Sequence, residues 1–139
     1  MELSQEEIKR ILEELKRIRE VCIEALIYNP RRTSYKRRLQ YTNILILALE
    51  NKLWFWEAVE CYRKWIKNYE DVIAVESERV GEYKICIIPS YFNKNDIIYT
   101  KGLRPPDRID FMIFSRKFGV TEEMLRKFEK MGRKCREIQ

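Results

Sequence analysis

Apolar residues along this chain fall into two rhythms. Over residues 4 to 28, Ile8, Ile11, Leu15, Ile18, Cys22 and Ala25 recur at alternating steps of three and four, which lays them on one stripe of a helix. The runs "EEIKR" and "EELKR" put charge on the remaining faces. Ser4 followed three residues later by Glu7 is a capping box, which satisfies two open backbone donors at the helix start. The stripe lasts about three heptads and suits either an antiparallel helical hairpin or a seam between two copies, so a homodimer stands among the expectations. The hairpin is the commoner outcome in a short globular chain. Asn29-Pro30 breaks the helix. A second helix is predicted over 35 to 52, and its centre, "NILILALE", is apolar on nearly every side and so should be buried. A strand is also compatible with so short an apolar run, but the Ala, Leu and Glu that follow favour helix. A third helix should start near Trp54, with Phe55, Ala58, Val59, Tyr62, Trp65, Ile66, Tyr69, Val72 and Ile73 on a wide apolar face. Aromatic residues at helical spacing, the three tryptophans among them, read as core.

The rhythm changes at Gly81. "EYKICIIP" (82 to 89) is rich in Ile and Tyr and reads as a strand ending, or lying at an edge, at Pro89. "DIIYT" (96 to 100) reads as a second strand, with "FNKND" supplying the turn between them. Gly102, Pro105 and Pro106 form a linker into a C-terminal helical unit. The expected fold is α+β and mainly α: a three-helix bundle, a central β-hairpin and a helical corner. The expected organisation is 1 to 80 for the bundle and 81 to 139 for the hairpin and corner, together one compact domain.

Composition narrows the class. The chain has 139 residues, enough to bury a core without disulfides. Charged residues make up 36%, against the usual quarter. The mixture of Lys, Arg and Glu, with no His, little Gln and more Ile than Val, resembles hyperthermophile composition, although an AT-rich genome produces the same bias. Cys22, Cys61, Cys86 and Cys135 form no CxxC pair, and without His they suit no zinc site, so small buried hydrophobes are expected and no metal or cofactor. "MELSQEEIKR" is charged from its second residue, which is unlike a signal peptide. "ILILAL" (44 to 49) is far too short to span a bilayer. A cytoplasmic protein is expected. The net charge of +6 favours partners that carry phosphate.

The C-terminal unit carries a recognisable pattern. Asp107 after two prolines is a good N-cap, with Asp110 in the first turn, and a helix over about 108 to 117 should follow. Gly119 tolerates a positive φ at the corner, Thr121 caps the next helix, and Glu122 and Glu123 sit in its first turn. Phe114, Phe118, Val120, Leu125 and Phe128 are the apolar set that locks the two helices together, with Ser115 as the small residue that permits close approach. Over residues 109 to 131 this spacing resembles the helix-turn-helix family of DNA-binding proteins. The resemblance implies that the second helix reads DNA, with Thr121, Glu122, Arg126, Lys127 and Lys130 facing outward and Arg126 and Lys127 suited to bases and phosphates. Glu122 and Glu123 depart from the pattern, because they place negative charge where phosphates approach.

A second constellation is "YNPRRTSYKRRLQYTN" (28 to 43). Arg31, Arg32, Lys36, Arg37 and Arg38 put five cations into eight residues, and no acid occurs between Glu24 and Glu50. Tyr28, Tyr35 and Tyr41 are interleaved with them. Arginines grip phosphates bidentately and tyrosines stack on bases. The alternative is a solvated helix start, but cations there oppose the helix dipole, which argues for a functional reason. Catalysis has little support. There is no His for nucleophilic machinery, and "EYK" (82 to 84) and "PPD" (105 to 107) come in the wrong order for the nucleases they resemble. The expected function is nucleic-acid binding without catalysis, DNA ahead of RNA and no membrane involved, in the manner of a DNA-binding regulator. The runner-up is a non-catalytic protein-interaction module, such as a helical subunit of a ribonucleoprotein or an inhibitor.

Overall fold

The structure, a computed structural model, describes residues 3–67 and 98–130. Five helices are placed there: α1 (Gln5–Tyr28), α2 (Thr33–Asn51), α3 (Phe55–Lys67), α4 (Arg108–Arg116) and α5 (Glu122–Glu129). A short helical segment at 98–100 precedes the loop into α4.

The first helix starts where the sequence says it should. Ser4 Oγ accepts from the Glu7 backbone N–H at 3.1 Å, and Glu7 Oε1 accepts from the Ser4 backbone N–H at 3.2 Å. That backbone bond, and then the Ser4 hydroxyl, hold the Glu7 carboxyl below its ordinary range. The predicted stripe faces inward, with Leu15 and Cys22 buried and Ile8, Ile11, Ile18 and Ala25 half-buried. Toward the end of α1 the buried face widens to take in Ile23 and Leu26. Of the two expected outcomes for the stripe, the hairpin is present within the chain: α1 packs along α2.

Every residue of α2 from Leu39 to Leu49 is buried. This central helix is covered by α1, α3 and α4, so its three polar residues need internal partners. Thr42 Oγ1 donates to the Arg38 carbonyl at 2.7 Å, Gln40 Nε2 donates to the Arg104 carbonyl at 3.2 Å, and Asn43 Nδ2 donates to Tyr62 Oη at 2.8 Å. Burying a Leu or Ile here is worth about 1.5–3 kcal/mol each, which outweighs the weak intrinsic preference of Ile for helices. The helix ends at Lys52, whose φ of 56° is left-handed. Trp54, Phe55, Ala58, Val59 and Tyr62 are buried as the core reading expected, whereas Trp56 is exposed.

The central β-hairpin is corrected by the structure. Among the described residues there is helix and loop but no strand. The first expected strand, 82 to 89, lies outside the described residues. Of the second, 96 to 100, residues 98–100 are helical: the Lys101 N–H bonds to the Ile98 carbonyl and the Leu103 N–H to the Thr100 carbonyl, both at 3.3 Å. Five residues are too few to fix a period, and the preference of Ile, Tyr and Thr for strands yields to tertiary contacts. Here Tyr99 packs on the Cys22–Leu39 cluster, and Thr100 Oγ1 lies 2.9 Å from Tyr62 Oη in the core.

The C-terminal corner forms with the expected caps. Asp107 Oδ1 accepts from the Asp110 N–H at 3.0 Å, and Thr121 Oγ1 from the Met124 N–H at 3.3 Å. Gly119 has φ +79°, a conformation costly for a side chain. Ser115 is fully buried and donates to the Phe111 carbonyl at 2.9 Å. Val120 and Leu125 are buried, and Phe114, Phe118 and Phe128 pack half-buried against the same core. Phe111 joins the corner to the bundle: its ring lies 4.6 Å from that of Phe55 and 6.1 Å, edge-on, from that of Tyr41.

Candidate nucleic-acid interface

The turn between α1 and α2 is tight. The Asn29 N–H bonds to the Ala25 carbonyl at 3.0 Å, and Asn29 then accepts from the Arg32 N–H through its carbonyl at 3.2 Å and from the Arg31 N–H through Oδ1 at 3.3 Å. Within this corner Arg31, Arg32 and Arg38 are exposed, and Lys36 and Arg37 are half-buried. Tyr35 roots the corner, packed half-buried against Cys22, Ile23, Leu26 and Leu39. The Arg32 guanidinium sits 4.7 Å from the centre of its ring and that of Arg38 5.8 Å, an arrangement favourable to cations. Arg37 lies beside the Tyr41 hydroxyl, whose pKa is pushed up by burial first of all, against the lowering effect of Arg37. Burial likewise raises the Cys22 thiol, with Arg38 opposing it.

Two further features favour an anion. None of the five cations forms an ion pair with any carboxylate among the described residues. The first turn of α2 holds no acid and no side-chain cap, so its leading N–H groups are open to an anionic oxygen.

The second predicted set stands differently. Arg126 is committed within the molecule: its guanidinium lies 4.9 Å from the Trp54 ring centre and 3.2 Å from Glu122 Oε1. Glu122 also pairs with Arg108, and Thr121 is the cap of α5. Lys127 and Lys130 are exposed. The two glutamates that departed from the family pattern are explained in part, because Glu122 ties α4 to α5. Trp54 follows the C-terminal end of α2, and Lys52 there lies 5.3 Å from the Phe128 ring centre. The corner occupies the other end, so the rise of α2 separates the two basic sets by about 25 Å. The structure therefore brings Arg31, Arg32, Tyr35, Lys36, Arg37 and Arg38 together and leaves Arg126, Lys127 and Lys130 as a separate group.

One residue of this region gained weight only from the structure. Tyr28 is 85% exposed and Ile27 is 59% exposed, both on the last turn of α1 beside the arginines. The spacing of the three tyrosines was visible in the sequence, but nothing in it said which one stands free. Comparison with family models, curated proteins and solved structures finds no match for this chain.

Proposed function

We propose that the chain is a nucleic-acid-binding protein that grips phosphates with the α1–α2 corner and performs no catalysis, as a cytoplasmic protein. The observation that carries this is the run of five cations without a single ion pair among the described residues, mounted on the half-buried Tyr35 at an uncapped helix start. Solvated surface arginines usually have acids nearby; here no acid stands between Glu24 and Glu50, and the position opposes the helix dipole, so the cluster costs stability where it is. Among the described residues no helix is long and apolar enough to cross a membrane. A finer form of the proposal, a regulator reading duplex DNA through α5, rests on the helix-turn-helix resemblance; the engagement of Arg126 by Trp54 and Glu122 makes the corner the stronger candidate.

A shift assay with duplex DNA, single-stranded DNA and RNA across a salt series tests it. With three to five phosphates contacted, log K should fall against log salt with a slope of roughly −2 to −4.5. Changing Arg31, Arg32, Arg37 and Arg38 to Ala should weaken all nucleic acids alike and flatten that slope. A protein not retained on any nucleic acid at physiological salt would leave the second reading, a protein-interaction module. What favours that reading is the exposure of Ile109 and Ile113, four residues apart on α4 at 64% and 54%.

A further inference from the structure

We infer that the α1–α2 corner takes unpaired nucleotides, with Tyr28 as a stacking platform for a base and the neighbouring cations on the flanking phosphates. This rests on the phosphate-binding reading of the same corner.

The three tyrosines interleaved with the cations have different fates. Tyr41 is buried and lies edge-on to Phe111, so its faces are not offered to a ligand. Tyr35 is half-buried, packed on the Cys22–Leu39 cluster and flanked by Arg32 and Arg38. Tyr28 alone stands out, the most exposed of the large hydrophobic side chains described. A tyrosine ring laid onto the protein surface gains roughly 25 cal/mol for each Å² of apolar area it removes from water. This ring is not laid down, although the half-exposed Ile27 beside it offers an apolar neighbour. A free aromatic ring within four residues of Arg31 and Arg32 matches the recognition of single strands, in which a positively charged track holds the backbone and aromatic faces stack the bases.

Duplexes fit the corner less well. Base pairs in a duplex present only their edges in the grooves, so the face of Tyr28 would meet no base. A blunt helical turn also lacks an extended reading element for the major groove. The stacking face is tolerant of base identity, so the site should bind many sequences and should not depend on whether the sugar is ribose or deoxyribose. An anionic membrane surface is the competing use of exposed Tyr, Ile and Arg. The absence of any further large apolar side chain between Tyr28 and the half-buried Tyr35 argues against it, since a membrane-inserting tip needs apolar area to bury.

The test uses the full chain and four fluorescent probes of equal length: oligo-dT, oligo-U, a duplex, and an abasic oligomer that keeps the phosphates and lacks the bases. The parent should bind oligo-dT and oligo-U about tenfold or more tighter than the abasic oligomer. Tyr28→Ala should bind oligo-dT only as tightly as the parent binds the abasic oligomer, while Tyr28→Trp keeps the preference and shows quenching of its new fluorescence on binding. Because Tyr28 is so exposed, circular dichroism should be unchanged in both variants. If oligo-dT and the abasic oligomer bind alike, or if Tyr28→Ala binds as the parent does, the stacking inference is overturned while the phosphate reading stands. If the four-arginine variant binds every probe as the parent does, the phosphate reading itself is overturned and the inference with it. Capture by phosphatidylserine vesicles with no binding to any oligomer overturns both.

Discussion

The placement of residues 98–100 can be tested through one oxygen atom. Tyr62 is fully buried on α3, and its Oη accepts from Asn43 Nδ2 of α2 at 2.8 Å and lies 2.9 Å from Thr100 Oγ1. Tyr62→Phe removes the oxygen and little else. Asn43 is fully buried too, and its Oδ1 already meets no donor among the described residues; without Tyr62 Oη its amide loses the partner that satisfied Nδ2. A net hydrogen bond is worth about 1 kcal/mol and a buried donor left without its acceptor costs about 1–3 kcal/mol, so a loss of about 2–3 kcal/mol is expected. For a chain of this size that lowers Tm by roughly 6–10 °C. Urea unfolding followed by tryptophan fluorescence measures it, with an unchanged slope showing that only stability has moved. The partner change Thr100→Val then closes a cycle. If the two hydroxyls are bonded, the double variant should cost less than the sum of the singles by at least about 0.5 kcal/mol. Additive losses, or a Tyr62→Phe variant within about 0.5 kcal/mol of the parent, would refute both the contact and the helical placement of Thr100 in the core.

Two other outcomes follow from the same core and from α5. Burial pushes the Cys61 thiol up to about 12, so the folded chain holds that proton more tightly than the unfolded chain does. The stability this represents is fully present below about pH 9 and is lost as pH rises toward 12, with a limiting slope of about 1.4 kcal/mol per pH unit; Tm of the parent should therefore fall more steeply from pH 9 to 11 than Tm of Cys61→Ala, and parallel profiles would contradict the assignment. Arg126→Ala should cost about 1 kcal/mol of stability through the lost contact with Trp54 and the lost pair with Glu122, and should leave duplex affinity within about twofold, whereas a loss of tenfold or more for one DNA sequence alone would make α5 a base-reading helix.

Much of the helical part was legible because it is written locally. Ser4 and Glu7, Asp107 and Thr121 are caps that act within three residues, and each makes the bond its chemistry demands. The burial of Ile44 to Leu49 on α2 followed from an apolar run with no polar face to turn outward. The segment 96 to 100 misled for the complementary reason. Its residue types favour strands, but the contacts that decide, Tyr99 on the Cys22–Leu39 cluster and Thr100 on Tyr62, join it to residues at least 38 positions away. No periodicity over five residues carries that information.

The two basic sets divide along the same line. Charge is a property of composition, so both were visible as clusters. What a cation is doing depends on its neighbours in space, and those come from elsewhere in the chain. Arg126 looked available on an outward face of α5, yet Trp54, seventy-two residues earlier, lies under its guanidinium. For Arg31 to Arg38 the nearest acids in sequence, Glu24 and Glu50, are also not their partners in space; Glu50 is held instead by Lys16 at 2.9 Å. A cluster left without an ion pair among the described residues, beside an unburied aromatic ring, keeps its charge available for a ligand. Neutralising it from within gives the converse test. Replacing Ser34, which is exposed in the first turn of α2, with Glu places an acid where it suits the helix dipole and should stabilise the fold by about 0.3–1 kcal/mol. The same change should weaken nucleic-acid binding and lower the salt slope, since the new carboxylate competes with phosphate for the arginines. A variant that gains stability and binds as the parent does would show that these cations serve no phosphate.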